Sequence, residues 1–225
     1  MFWNLAQGFF IEGFLNTSGS VEMALSFVRK CMARQFLARL LLAGILQASL
    51  TACSTPVPSK PRDLCAVFTE NRDWFDDARE VYAERKVPIN IVMSFIYHES
   101  GYRHDAKPPM RWFLFIPYGR GSSAYGYPQA QDEVWEDYQD DAGGFWSSRS
   151  NFKDSLDFIS WYILKTRDKN GVAVNDVYNQ YLNYHEGWQG YKKGSWKKNS
   201  SLKKLAEKVS GTARKYGQQL KNCDL

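Results

Sequence analysis

The chain has 225 residues, 44% hydrophobic, 16% aromatic and 24% charged, a balance that supports one compact domain with a proper core. Its formal charge of +5 is uneven, with ten basic against two acidic residues from position 191 onward and fifteen against twenty between 60 and 190. The surplus is therefore a C-terminal feature, either a solvated Lys-rich face or a patch for an anionic partner, and it does not imply nucleic acid.

Residues 32–53, MARQFLARLLLAGILQASLTAC, place Arg34 and Arg39 ahead of a short apolar run and then small residues. This is the plan of a secretory signal peptide, and the run is too short to span a bilayer comfortably. Its end, Leu50-Thr51-Ala52-Cys53, resembles the bacterial lipobox, in which the Cys is lipidated and becomes the first mature residue. Ser54 then favours the outer membrane; the alternative is an ordinary cleaved signal peptide with a chance Cys. Residues 1–31 fit no signal-peptide plan and read as an early start, with Met23 or Met32 as the true one. Thus 1–52 reads as a signal region and 53–63 as a lipidated Cys with a Pro-rich tether that cannot pack. Residues 64–225 read as a single domain. Cys65 and Cys223 stand at its two ends, where a disulfide in an oxidising periplasm would close a long loop; free thiols are the alternative.

Within the domain, helical periodicity dominates. Residues 71–86 place Trp74, Ala78, Val81 and Tyr82 at helical spacing and stop before Pro88. The next segment, PINIVMSFIYHES, is rich in β-branched residues that suit a strand. Pro88 at a first turn and Gly101 past the end favour a buried helix. Ile91, Val92, Phe95 and Ile96 would face the core, and Glu99 follows one turn after Phe95. From 102 to 123 the periodicity is lost, and the insert 107–121 reads as a long aromatic and Pro-rich loop or a short β-hairpin. An amphipathic helix starting at Pro128 follows. Another has Asn151 as N-cap and Asp154 in the box position, with a stripe of Phe152, Leu156, Ile159 and Ile163. The chain closes with a helix near 172–184, a bend through 185–194 and a Lys-rich amphipathic helix over 202–220. With no repeats and no sustained alternation, the fold is mainly α.

Metal chemistry finds little support. His98-Glu99 opens like a zinc helix, but Tyr102 stands where the second His is needed, and His104 and His185 would have to converge from separate loops. The cysteines lie at the domain ends, away from any nucleophile position. A Glu at the end of an apolar helix suits a general acid in glycosidic cleavage, because desolvation raises its pKa. By spacing alone, Glu99 is equally a C-terminal helix residue turned to solvent.

The motifs resemble those of the lytic transglycosylases with a lysozyme-like fold, the SLT family. HESGYR at 98–103 is similar to the family's Glu-Ser motif, Gly126-Tyr127-Pro128-Gln129 to its G-L-M-Q motif, and Asn183-Tyr184-His185 to its A-Y-N motif. Their order matches, and the whole resembles a lipoprotein branch with S-A-Y-G-Y and Y-H-E-G variants. The resemblance implies a mainly α, lysozyme-like SLT domain in which Glu99 is acid and then base. It also implies that Ser100, Tyr125, Gln129 and Tyr184 serve the substrate, with Ser100 and Gln129 orienting it or the Glu, and Tyr184 bonding the carboxylate or its neighbourhood. Pro128 and His185 depart from the pattern, so subsite contacts should differ.

The implied reaction cleaves the MurNAc-β-1,4-GlcNAc bond of peptidoglycan without water, leaving 1,6-anhydro ends, with no cofactor and no metal. The partners implied are glycan strands and, through Cys53, the periplasmic side of the outer membrane, with the protein a monomer. Two alternatives stand: a wall-binding lipoprotein without turnover, and a hydrolytic lysozyme whose second carboxylate is Glu186 or Asp132. Trp112, Phe113 and Tyr118 of the insert are either a sugar-stacking flap or loop packing.

Overall fold

The computed structural model describes residues 56–225. The signal region, the early start and the lipidation site at Cys53 lie outside the described residues. Residues 55–225 form a unit of their own, mainly helical with one two-stranded antiparallel sheet.

Its centre is α3, Ile89–Ser100. Ile91, Val92, Met93, Phe95 and Ile96 are all buried, and Ser94, also buried, returns its hydroxyl to the Ile91 carbonyl. A segment apolar on every side can be strand or helix; here packing overrides the β-branched preference, and the helix is enclosed all round. It sits against α2 (Arg72–Arg85), α5 (Phe152–Asn170) and α7 (Ser200–Leu220). At ~1.5–3 kcal/mol for each large side chain removed from water, this helix supplies much of the stability of the fold.

Around it, α1 (Leu64–Glu70) lies on α7, α2 packs on α5, and α6 (Val177–Lys193) bridges α5 and α7. Arg85 makes a bidentate pair with Asp157, both bonds 2.7 Å, and Tyr138 donates to the same carboxylate at 2.9 Å. The short α4 (Asp132–Tyr138) is thereby tied to α2 and α5. Asn151 caps α5 through the Asp154 amide, while the Asp154 carboxylate reaches back to the Ser148 amide rather than to the cap residue. The stripe of α7 (Leu202, Ala206, Val209, Ala213, Tyr216) is buried, leaving Lys204, Lys208 and Lys215 in solvent.

Several readings of the sequence need correction. Tyr82 is 45% exposed rather than part of the α2 stripe. Pro128 does not open a helix; α4 begins at Asp132, because residues 125–130 close a turn through a Tyr125–Ala130 bridge. The bend expected over 185–194 is found at Gly187, whose backbone (φ 70°, ψ 160°) breaks Val177–Lys193 into two helical arms, while the helix expected from 172 begins only at Val177. Nor is all of the Pro-rich tether free. Pro58 is buried, Ser59 donates to Glu70, and the Pro61 carbonyl accepts from Tyr216.

The two ends of the described domain meet. Cys65 and Cys223 form a disulfide with Cα atoms 5.6 Å apart, and Gln219 accepts the Leu64 amide at 3.0 Å. The insert folds as a hairpin, β1 (Met110–Phe113) with β2 (Ile116–Arg120). It does not pack on the domain: Trp112, Phe113 and Tyr118 are 61%, 70% and 65% exposed, so the loop-packing reading of these side chains is set aside.

Candidate active site

Helix α3 ends because Gly101 takes a left-handed conformation, φ 61°, and returns its amide to the Tyr97 carbonyl at 3.0 Å. Tyr102 follows with φ 65°, unusual for a residue with a side chain. Its ring is buried against Trp74 and Tyr97, and its hydroxyl meets that of Tyr216 at 3.1 Å. The double left-handed step turns the chain sharply away and leaves Glu99 in the last turn of the helix.

Phe95, one turn earlier, packs edge-on against Tyr181 and Tyr184 of α6, 5.3 Å from each ring. This brings the two phenols beside the Glu99 carboxyl. Tyr181 hydrogen-bonds it and so favours the charged form, but desolvation is the larger effect and pushes the pKa from 4.5 up to about 7. Glu99 nevertheless keeps part of its surface open. A carboxyl surrounded by protein yet reachable from outside is what a proton donor to a bound substrate requires. The Tyr181 and Tyr184 phenols are both raised by burial first and the Glu99 charge second, so they remain neutral donors.

The second motif faces this carboxyl through Tyr184, which donates its hydroxyl to the Pro128 carbonyl. Gly126, φ 72°, approaches so closely that a Cβ there would lie 2.0 Å from the Arg149 carbonyl oxygen. Tyr127 is buried edge-on against both Trp74 and Phe152, which stack on each other at 4.0 Å. Gln129 is left-handed at φ 51°, held by bonds from its amide nitrogen to the Ala106 and Gly126 carbonyls at 2.9 and 2.8 Å. Such strain in a non-glycine residue, fixed by its own side chain, marks a turn built for a purpose. Tyr125 is half-buried, with Lys107 5.0 Å and Arg149 5.7 Å from its ring centre.

The structure therefore brings Glu99, Tyr184 and the 126–129 turn together, with changes of partner. Tyr184 bonds the turn and not the carboxylate; the phenol that holds Glu99 is Tyr181. Sequence reasoning missed Tyr181, although it precedes Tyr184 by three residues and so shares its helix face. Ser100 folds its hydroxyl back to the Ile96 carbonyl at 3.1 Å, and Gln129 orients its own loop. His98 faces α7, 2.8 Å from the Thr212 hydroxyl, and burial lowers its pKa.

The two carboxylates considered as a second catalytic group are engaged elsewhere: Asp132 pairs with Arg149 at 2.8 Å, and Glu186 bonds Ser195. A surface depression of about 380 Å3 lined by Asp137, Asp141, Trp161 and Trp188 does not contain Glu99. It adjoins the site through Trp188 and Trp161, both against Tyr162, whose ring lies 5.0 Å from that of Tyr184. The perturbed carboxyl locates the chemistry better than this open hollow.

The sequence profile of the transglycosylase SLT domain matches residues 41–223. The chain belongs to the transglycosylase SLT domain family. No curated protein and no solved structure matches it. Membership in the SLT family supports a lytic transglycosylase with peptidoglycan as substrate, and the helical architecture agrees with a lysozyme-like SLT domain.

Proposed function

We propose that the protein cleaves the MurNAc-β-1,4-GlcNAc bond of peptidoglycan non-hydrolytically, with Glu99 as its acid and then its base. The supporting observation is one desolvated carboxyl, raised to about 7, on which, among the described residues, burial and the Tyr181 hydrogen bond are the influences found. Most glycosidases divide the work between two carboxyl groups. With one, the substrate must supply the nucleophile. Glu99 protonates the glycosidic oxygen while the 2-acetamido oxygen of MurNAc attacks the anomeric carbon and the bond to GlcNAc breaks. The Glu99 carboxylate then takes the proton of the C6 hydroxyl as O6 displaces the acetamido oxygen, giving the 1,6-anhydro sugar and restoring the acid. In this reading Tyr125, Gln129 and Ser100 line the substrate path, and Tyr184 holds the second motif against the acid.

The signal plan of residues 32–53 supports lipidation at Cys53 and a periplasmic site on the outer membrane, with glycan strands as partner and the protein acting as a monomer. Incubation of the domain with purified peptidoglycan, followed by mass spectrometry of the released muropeptides, tests the activity. Products one water lighter than lysozyme fragments, absent with Glu99→Gln, are expected; fragments of full hydrolytic mass would refute the mechanism.

A further inference from the structure

We propose that the hairpin of β1 and β2 is a membrane-seating prong that dips its tip into an anionic bilayer. Trp112, Phe113, Leu114, Phe115 and Ile116 are consecutive and 61%, 70%, 78%, 92% and 66% exposed. Cross-strand partners share a face, so Phe113 with Ile116 forms one side and Trp112 with Pro117 the other. A protein partner or a sugar ring covers one face; this tip is apolar on both faces and at its end, and asks for a medium that surrounds it. A sugar also brings hydroxyls that need polar partners, and among these five side chains only the Trp112 indole has a donor. Leu114 and Ile116 have no ring to stack.

The charges complete the pattern. Residues 107–120 contain Lys107, Arg111 and Arg120 and no acid. The arginines stand at the base, in the Met110–Arg120 and Arg111–Gly119 pairs, and Trp112 and Tyr118 come between base and tip. Hydrocarbon-seeking side chains at the end, amphipathic rings above them and cations outermost follow the order of depth in a bilayer with acidic headgroups. The three steps from Arg111 to Leu114 at the turn reach at most about 10 Å, which spans the ~5–10 Å that interfacial elements penetrate. The remaining argument rests on the lipid anchor read at Cys53. Because Pro58 is buried in the domain, only five residue steps join it to Cys53, a covalent reach of at most about 18 Å. A domain so tethered stays within touching distance of the lipid, and a second contact would fix which way it faces.

The test uses residues 55–225, a unit with its own core, and so omits the anchor. Vesicles of phosphatidylcholine with phosphatidylglycerol should sediment it and those of phosphatidylcholine alone should do so poorly, with added salt weakening the association. Lipids brominated in their acyl chains should quench its fluorescence, and less so in Trp112→Phe. Leu114→Ser with Phe115→Ser should lower partitioning at least about tenfold without changing the melting curve, since both side chains are already in water. Phe145→Ser with Trp146→Ser, changing another pair at 81% and 90% exposure, should bind as the parent does.

No association, association indifferent to the tip variant, or equal loss from the second pair would overturn the proposal. Dimerisation removed by the tip variant would assign the hairpin to a second copy instead. Slower cleavage of soluble glycan strands by that variant, without vesicles, would assign it to substrate. Glu99→Gln should bind vesicles unchanged, so failure of the enzymatic reading and failure of this one are separate results.

Discussion

Replacing Glu99 by Gln removes an ionisable group and keeps its size. Burial pushes the carboxyl up to about 7 in the folded protein, against the ordinary 4.5 that it regains in the unfolded chain. Each pKa unit is ~1.36 kcal/mol, so the difference amounts to about 3 kcal/mol once titration is complete. The folded state binds this proton more tightly. The stability that results is fully present below the unfolded pKa, declines as pH rises between the two values and is gone above about 7. Wild type should therefore lose stability relative to the Gln variant as pH rises, with the gap between them widening by about 3 kcal/mol from pH ~4 to pH ~8. For a domain of this size that is roughly 6–12 °C in melting temperature. Burying the Gln amide beside Tyr181 shifts the whole comparison by a constant, because the amide does not titrate, and the other groups titrate alike in both proteins. Thermal or denaturant melts of the pair across this range, without reductant, give the curve directly. A flat difference, or one that widens toward acid, would refute a desolvated Glu99.

Three other outcomes are expected. Tyr181→Phe deletes a bond that favours the charged carboxylate, so the pKa of Glu99 rises further and the alkaline limb of kcat/KM, which lies near pH 7 in the parent, should move to higher pH; a limb that stays or falls would count against the assignment. Gly126→Ala forces a Cβ to within 2.0 Å of the Arg149 carbonyl oxygen at φ 72°, and should cost on the order of 2–5 kcal/mol in denaturant melts together with turnover. Cys65→Ser with Cys223→Ser opens a loop of 158 residues. The chain-entropy account puts this at about 5 kcal/mol as an upper figure, read as a lower melting temperature that no longer responds to reductant.

The long helices α2, α3, α5 and α7 were legible because their buried residues recur at helical spacing, most plainly in α5 and α7, whereas the seven-residue α1 is too short to show a period and was not legible. Less could be read where local signals compete with long-range contacts. Pro128 is a good first-turn residue, yet the turn held by Tyr184, Gln129 and Arg149 delays the helix to Asp132. The bend read over 185–194 falls at Gly187, but helix resumes beyond it as far as Lys193, a continuation that the Gly-rich composition does not announce. At the site, Glu99 stood out as a carboxyl at the inner end of an apolar helix. Its contact with Tyr181, 82 positions later, has no periodic signature. The apolar tip at 112–116 gave the opposite difficulty: composition suggests burial, and the structure leaves it in the open.

The disulfide makes the domain a closed ring for any force applied at its N-terminus. A pull there can extend the chain only as far as Cys65. Beyond that point the load divides between α1 and, through Cys223, the end of α7, the two routes by which the ring leads to α3. If Glu99 holds a glycan strand, as proposed, while the domain's N-terminus is held elsewhere, tension runs to it through both arms of the ring. The helices between cannot be unravelled one after another from the end that is pulled, and the domain behaves under traction as a clasp.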